Sequence, residues 1–316
     1  MPTADAGGFL CADTSCIVTP LHVSRSGNAW GSDKKKHKGK DKSGGLITKD
    51  RHILYEASVQ SPETDLEFFR KLFKRRRGRP MRLFREDFCG TSLLSCTFVK
   101  THADNHAWGI DLDQPTLDWG REHHVSRLGD AAERLTLIQG DVLTTETPLV
   151  DAVAALNFSY FIFHEREQLL GYFRRARAAL KDDGVLFLDS FGGQDAMSAE
   201  IERRRISGEY APNGKKLAPF HYSWHQASFN IIDHHLLCHI HFRLKDGTKI
   251  KKAFTYDWRL WTLPELSEVL VEAGFAKVEV FLESWDDEKN ETDGVFRKRK
   301  KMDNQAGWIA YVAAYA

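Results

Sequence analysis

The chain of 316 residues carries 45 Lys and Arg against 44 Asp and Glu, a net charge of +1, and is 42% hydrophobic. That composition supports a full apolar core, in one large domain with an insertion or in two small ones. It excludes a disordered polyelectrolyte, and the near-neutral balance gives no whole-molecule field that would mark a nucleic-acid binder. No apolar run reaches the roughly 18 residues of a helical membrane span.

Residues 1–45 are rich in Gly, Ser, Asp and Lys without sustained periodicity, and are read as a disordered tail ahead of a folded domain over 46–316. The first 30 residues hold Asp5, Asp13 and Arg25 but no basic start followed by an apolar stretch, so neither a secretory signal nor a mitochondrial presequence is expected. Five cysteines, Cys11, Cys16, Cys89, Cys96 and Cys238, are odd in number, lack metal-ligand spacing and suit a reducing compartment. The expected location is cytoplasmic. Basic runs at 34–40, 74–79 and 297–301 read as solvated faces, with nuclear import or phosphate docking as alternatives.

Ser61-Pro62-Glu63 reads as a helix start, with Ser61 capping and Leu66, Phe69, Leu72 and Phe73 on one face. Strand patterns at 81–84, 107–110, 135–139, 152–156 and 184–189 alternate with helices, one of them over 165–180, and predict a mainly parallel sheet. After Gly193 the period changes. Leu236, Cys238, Ile240 and Phe242 point one way, and His235, His239 and His241 the other with Leu237. Asp246-Gly247 is a hairpin signal. An antiparallel insertion of two or three strands is expected within 195–260. Thr262-Leu263-Pro264-Glu265 is a capping box, Gly274 stops that helix, and 277–282 and 308–315 are strands around a basic loop over 286–306.

The densest signal lies in residues 84–113, FREDFCGTSLLSCTFVKTHADNHAWGIDLD. Glu86-Asp87 runs into a Cys89-Gly90-Thr91 turn, then a helix with Leu93, Leu94 and Phe98, then a strand closing on Asp111. This is half of a nucleotide-binding βαβ unit, with an acid about 20 residues past the turn, in reach of a ribose hydroxyl. At these residues the chain resembles the class I S-adenosylmethionine-dependent methyltransferases. Further landmarks match in order: Asp141 after the third strand, the fourth strand at 151–159, the fifth at 184–189, and the late helix and strand at 261–281. The resemblance covers 46–316. Phe88 and Ser92 depart from it, standing where the family has its first and third glycines.

The resemblance implies an α/β fold: a Rossmann-like, mainly parallel seven-stranded sheet flanked by helices, with an inserted antiparallel β lid. It implies S-adenosyl-L-methionine as cofactor. Asp111 would take the ribose hydroxyls with Leu112 beside it, Glu86, Asp87 and Gly90 would line the methionine, Asp141 and Val142 would flank adenine, and Asn157 and Phe158 would face the methyl donor. Whether Glu86 or Asp87 faces the cofactor stays open, because a one-residue slip flips a strand residue to the other face. Asp111 as a turn cap, Asp141 as a turn residue and Asn157 as a strand-end hydrogen bonder are the plainer alternatives.

Catalytic candidates are Tyr55, Asn157 and Arg259. Tyr55 resembles the tyrosine that many family members fold over the cofactor, where its ring face would attract a sulfonium; the alternative is a surface tyrosine. Arg259 would grip an acceptor carboxylate bidentately, or tie the insertion to Asp257 or a helix end. His164 is a general base or a helix-start residue. His235, His239 and His241 tempt a zinc reading, but a half-wet strand face accounts for them and no metal is expected. The expected activity is methyl transfer to a small-molecule acceptor in an enclosed pocket. A protein or RNA methyltransferase docking through the basic runs, and a scaffold without turnover, are the alternatives; no membrane partner is expected, and oligomeric state is not legible.

Overall fold

A computed structural model describes residues 44–286, 291–292 and 294–316, so the tail expected over 1–45 lies almost wholly outside the described residues. Near the start of the described residues Leu46 bridges Leu217. Asp50 then caps helix α1, Arg51–Val59, its Oδ1 accepting from the His52 and Ile53 N–H groups. Helix α2, Pro62–Arg77, starts on its proline as expected, although Ser61 makes no side-chain cap. It buries Leu66, Phe69, Leu72 and Phe73 and ends at Gly78 in the left-handed conformation.

Strand β1 (Leu83–Asp87), helix α3 (Leu93–Lys100), strand β2 (His106–Asp111), helix α4 (Gln114–His123), strand β3 (Leu135–Gln139), strand β4 (Val150–Ala155), helix α5 (Arg166–Ala179) and strand β5 (Leu180–Gly192) form the parallel half of the sheet. Strands β6 (Glu200–Ile206), β7 (Phe220–Phe229), β8 (His235–Arg243) and β9 (Lys249–Arg259) follow as a separate antiparallel meander. The chain then returns through helix α6 (Leu263–Glu272), strand β10 (Lys277–Leu282), the two-residue pair β11 (Trp285–Asp286) and β12 (Glu291–Thr292), strand β13 (Arg297–Arg299) and strand β14 (Trp308–Tyr315). The main sheet runs β13-β10-β14-β5-β4-β1-β2-β3. The strand order reverses at β1, between β2 and β4, so the crevice at the carboxyl ends of these strands is where such sheets bind ligands.

Alternation along β5 explains the two layers. Val185 and Phe187 face one side with α2 and α3, and Leu186 and Leu188 face the other with α5 and α6. The insertion has its own small core of Phe220, Tyr222, Ile240 and Phe242, closed by Ile53 and Leu54 of α1. Leu236, Cys238, Ile240 and Phe242 are buried as their alternation predicts.

Two expectations change. The insertion has four strands, because the charged edge strand β6, EIERRRI, carries only two apolar residues and gives no apolar stripe to read. The basic stretch over 286–306 is not all loop. Its Arg297–Arg299 pair with β10 as an eighth strand, where buried Glu279 accepts from Lys298 Nζ at 2.8 Å, Arg76 at 2.9 Å and the Tyr315 hydroxyl at 2.8 Å. Against the pull of burial, Lys277 at 2.8 Å and those donors hold the Glu279 carboxyl down at about 2.

Candidate active site

The turn after β1 is made by backbone in an uncommon conformation. Phe88, Gly90 and Ser92 all take positive φ, 57°, 52° and 58°. Only glycine does so freely, and a side-chain-bearing residue there costs on the order of 1 kcal/mol. The path that glycines would trace is therefore kept at Phe88 and Ser92 by surrounding contacts. The Phe88 ring rests near Tyr172 and Phe163. Ser92 donates its N–H to Cys89 O at 2.7 Å. Next to them Thr91 donates its hydroxyl to Glu56 Oε1 of α1 at 2.5 Å, and His124 Nε2, after α4, meets the same oxygen at 2.7 Å. Helix α4 comes so close that a Cβ on Gly120 would sit 2.4 Å from Thr91 O.

Asp111 ends β2 directly over this turn. Its Oδ2 accepts the Gly90 N–H at 2.7 Å and its Oδ1 the Asp113 N–H at 2.9 Å. The carboxylate is thus fixed in orientation while remaining partly open, and Leu112 beside it is 63% exposed.

Glu86 and Asp87 face opposite sides. Glu86 turns to α3, where Ser95 donates both N–H and hydroxyl to Oε2 at 2.9 and 2.5 Å; burial nevertheless pushes its carboxyl up to about 8. Asp87 is spent inside the core on Arg85 Nε at 2.7 Å and the Tyr172 hydroxyl at 3.0 Å. Arg85, buried on the same face, also donates to Thr145 O at 3.1 Å and so anchors the turn after β3. In that turn Asp141 Oδ1 accepts the Leu143 N–H at 2.9 Å, while the Val142 side chain is buried.

At the end of β4, Asn157 and Phe158 both take positive φ, 57° and 58°. Asp189 of β5 holds that conformation by accepting the Asn157 N–H at 2.8 Å on one oxygen and the Phe158 N–H at 2.9 Å on the other. Burial pushes its carboxyl up to about 7 despite those two donors. Tyr55 of α1 shares a hydrogen bond with Tyr256 of β9, and burial raises both phenols, with the nearby Asp189 charge adding to the shift of Tyr55. An aromatic wall continues from these groups. Phe158 lies 4.7 Å from Phe191 and 6.2 Å from Trp258, Tyr256 stacks on Trp258 at 4.3 Å, and Trp224 lies 5.9 Å from Tyr256.

No protein-family model matches the sequence, and no curated protein does. Solved structures do. The S-adenosylmethionine-bound aminopentose methyltransferase CalS10 of Micromonospora echinaspora shares 14% identity and a TM-score of 0.60, over 86% of this chain and 99% of that one. DesVI of Streptomyces venezuelae shares 15% identity and a TM-score of 0.59, over 84% and 99%. An S-adenosylmethionine-dependent methyltransferase of Clostridium acetobutylicum shares 13% identity and a TM-score of 0.58, over 83% and 96%. The chain has the class I methyltransferase fold.

In this methyltransferase fold the expected residues other than Asp87 and Val142, whose side chains are buried, sort into three groups. Gly90, Asp111, Leu112 and Asp141 lie at the turns closing β1, β2 and β3, with Glu86 in β1 beside the first of them. Tyr55, Asn157 and Phe158 gather with Asp189 and Tyr256. Arg259 stands apart. Strand alternation puts it on the face of Asp257, opposite Tyr256 and Trp258. Its fork donates to His164 O at 2.8 Å and to Glu265 at 3.3 Å, and its guanidinium lies 3.7 Å over the Trp261 ring. An acceptor carboxylate would find those donors taken; the arginine ties the insertion to the capping box of α6, in which Thr262 and Glu265 bond reciprocally as expected.

The histidines also regroup. His239 and His241 cluster with His225, ring centroids 5.6 and 5.5 Å away, while His235 turns to Asp257 and His164. Asp189 and Tyr256 are the functional candidates that sequence reasoning missed. The signal for Asp189 was an acid at the carboxyl end of the fifth strand, beside the switch point.

Proposed function

We propose that the chain is an S-adenosylmethionine-dependent methyltransferase acting on a small-molecule acceptor. The observation that carries the reading is that α1 joins the two groups: Glu56 accepts from Thr91 in the left-handed turn that Asp111 holds, and the neighbouring Tyr55 bonds Tyr256 near Asp189, against the aromatic inner face of the insertion. The kinship in fold with CalS10, an aminopentose methyltransferase with its cofactor bound, supports the same donor and a comparably small acceptor.

The residues fit the donor. Asp111 is oriented by two N–H groups and keeps acceptor capacity for the two ribose hydroxyls. Exposed Leu112 and the remaining Asp141 oxygen suit the adenine ring and its amino edge. Glu86 and the Gly90 backbone suit the methionine side, and Asp87 supports them from inside the core. When bound, the cofactor supplies a methyl group already activated on a sulfonium. The chain's work is then to align the acceptor, exclude water and receive a proton. Tyr55 presents a ring to the positive centre. Phe158, Phe191, Trp224, Tyr256 and Trp258 displace water. Asp189, with its carboxyl near 7, is the group suited to take the acceptor's proton.

The reading through basic docking surfaces has less support. Arg76, Arg77, Arg79 and Lys298 are engaged with Glu279, Gly184 O, Asp183 and Asp151. Calorimetry tests the proposal. Asp111→Ala should weaken S-adenosylmethionine and S-adenosylhomocysteine by about 1.5–3 kcal/mol, the scale of hydrogen bonds to a charged group. Unchanged affinity rejects the ribose role, and binding without turnover on any small acceptor supports the scaffold reading.

A further inference from the structure

We infer that His164, His235 and Asp257 form a site for a divalent transition-metal ion that fastens the inserted sheet to the core. The three ligands come from separate elements. His164 belongs to the segment leading from β4 into α5, His235 opens β8, and Asp257 lies in β9. Their ligand atoms all lie within 4.8 Å of one another. Both imidazoles approach Asp257. His164 Nε2 stands 3.7 Å from Asp257 Oδ1, and His235 Nε2 contacts that same atom. The two rings meet edge to face at 4.8 Å between centroids. Ligands bound at about 2.0–2.2 Å around a zinc ion stand some 3–4 Å apart, so side-chain rotation alone brings the trio onto an ion.

The donor set selects the metal. Two imidazole nitrogens and one carboxylate suit Zn²⁺, Co²⁺ or Ni²⁺, whereas Mg²⁺ and Ca²⁺ want oxygen throughout. The Asp257 carbonyl oxygen, 3.0 Å from His164 Nε2, is a further donor at hand. The side chains are 38%, 45% and 62% exposed, so an ion enters from solvent and a water completes its shell.

The backbone that carries the ligands is also held in place. Arg259 donates to the His164 carbonyl at 2.8 Å, the His235 N–H donates to Asp233 Oδ1 at 2.9 Å, and the ladder sets His235 opposite Arg259 and Leu237 opposite Asp257. The site lies on the face of β8 and β9 opposite Trp258, away from the groups assigned to methyl transfer, so it acts as a clasp and is independent of that assignment.

The test uses the whole chain without a polyhistidine tag, dialysed against chelator and titrated with ZnCl₂, and with CoCl₂ for its visible absorption. One ion should bind per chain and raise the melting temperature. His235→Ala and Asp257→Ala should weaken binding by more than about 100-fold, beyond the loss for an outer-shell partner, and abolish the thermal shift, while His225→Ala keeps both. If His235→Ala fails to fold by circular dichroism, His235→Gln gives the same reading. Absence of a bound ion, or affinity unchanged in the His235 and Asp257 variants, overturns the inference. So does loss in His225→Ala alone, which would move the ion to the His225, His239 and His241 group.

Discussion

The turn after β1 and the inner face of β7–β9 border the same crevice but are built differently. The turn is main chain. Its geometry lies in positive φ values at Phe88, Gly90 and Ser92 and in N–H groups aimed at Asp111 and Cys89 O. The inserted sheet is side chain: an ordinary ladder presents Trp224, Tyr256 and Trp258, which rest on one another. A site written in backbone changes little when side chains change, and it suits a ligand that stays constant. A site written in side chains alters with each substitution, and it suits a ligand that differs from protein to protein.

The strongest attempt to break this contrast attacks the backbone site through the helix behind it. Gly120→Val forces a branched side chain into the space where a Cβ already meets Thr91 O at 2.4 Å. It should destabilise the chain by about 3 kcal/mol in urea unfolding and remove donor binding. A variant of normal stability would show that the turn is more pliant than its contacts imply. On the side-chain site, Trp224→Ala should lower kcat/KM for the acceptor by about 1–3 kcal/mol while donor affinity by calorimetry holds. A variant that loses both equally would erase the division between the two regions.

The pH dependence sharpens the contrast at Asp189, which holds the end of β4 close to Tyr55. Its carboxyl is raised to about 7 in the folded chain, against about 3.9 unfolded. The native state therefore holds the extra proton between those values, and stability falls as pH rises from about 4 to 7, by at most about 1.4 kcal/mol per pH unit for this group. Glu86, raised to about 8, acts in the same direction. Denaturation midpoints at pH 5 and pH 8 should differ accordingly, and Asp189→Asn should reduce the difference. As a proton acceptor Asp189 works ionised, so transfer should rise with pH through about 7 in the native enzyme and lose that limb in Asp189→Asn. The smallest effect is Ser92→Gly, which relieves a left-handed residue and should stabilise by about 0.5 kcal/mol. A loss of stability would mean that the Ser92 hydroxyl, which donates to Thr91 O at 2.7 Å, outweighs the strain.

What was legible in the sequence follows the same division. The order of strands, the acid at Asp111 and the Thr262 capping box could be read because each depends on residues near in the chain. The same holds for the buried stripe from Leu236 to Phe242. The face of Glu86 could not be read, because one residue of strand register decides it and long-range pairing with β2 and β4 sets that register. Arg259 stayed open between two readings because its residue type suits both an acceptor and a tie to a helix end, and alternation along β9 turns it outward to Glu265 and His164. Asp189 passed unnoticed because its partners are two backbone N–H groups about 30 residues away. Helix α1 gave no helical signal in the sequence, since a nine-residue helix has little room for periodicity.

That short helix has a thermodynamic consequence. On one side Ile53 and Leu54 close the core of the inserted sheet. On the other, Glu56 grips Thr91 in the turn and His124 behind it, and Asp50 accepts from Trp119 Nε1 of α4 at 2.8 Å. A ligand that shifts α1 from either side shifts what the other side sees. Linked equilibria are reciprocal, so whatever free energy an occupant of the sheet lends to binding at the turn, an occupant of the turn returns in equal measure. The coupling between the two ligands would then be carried by about two and a half turns of helix, Arg51–Val59.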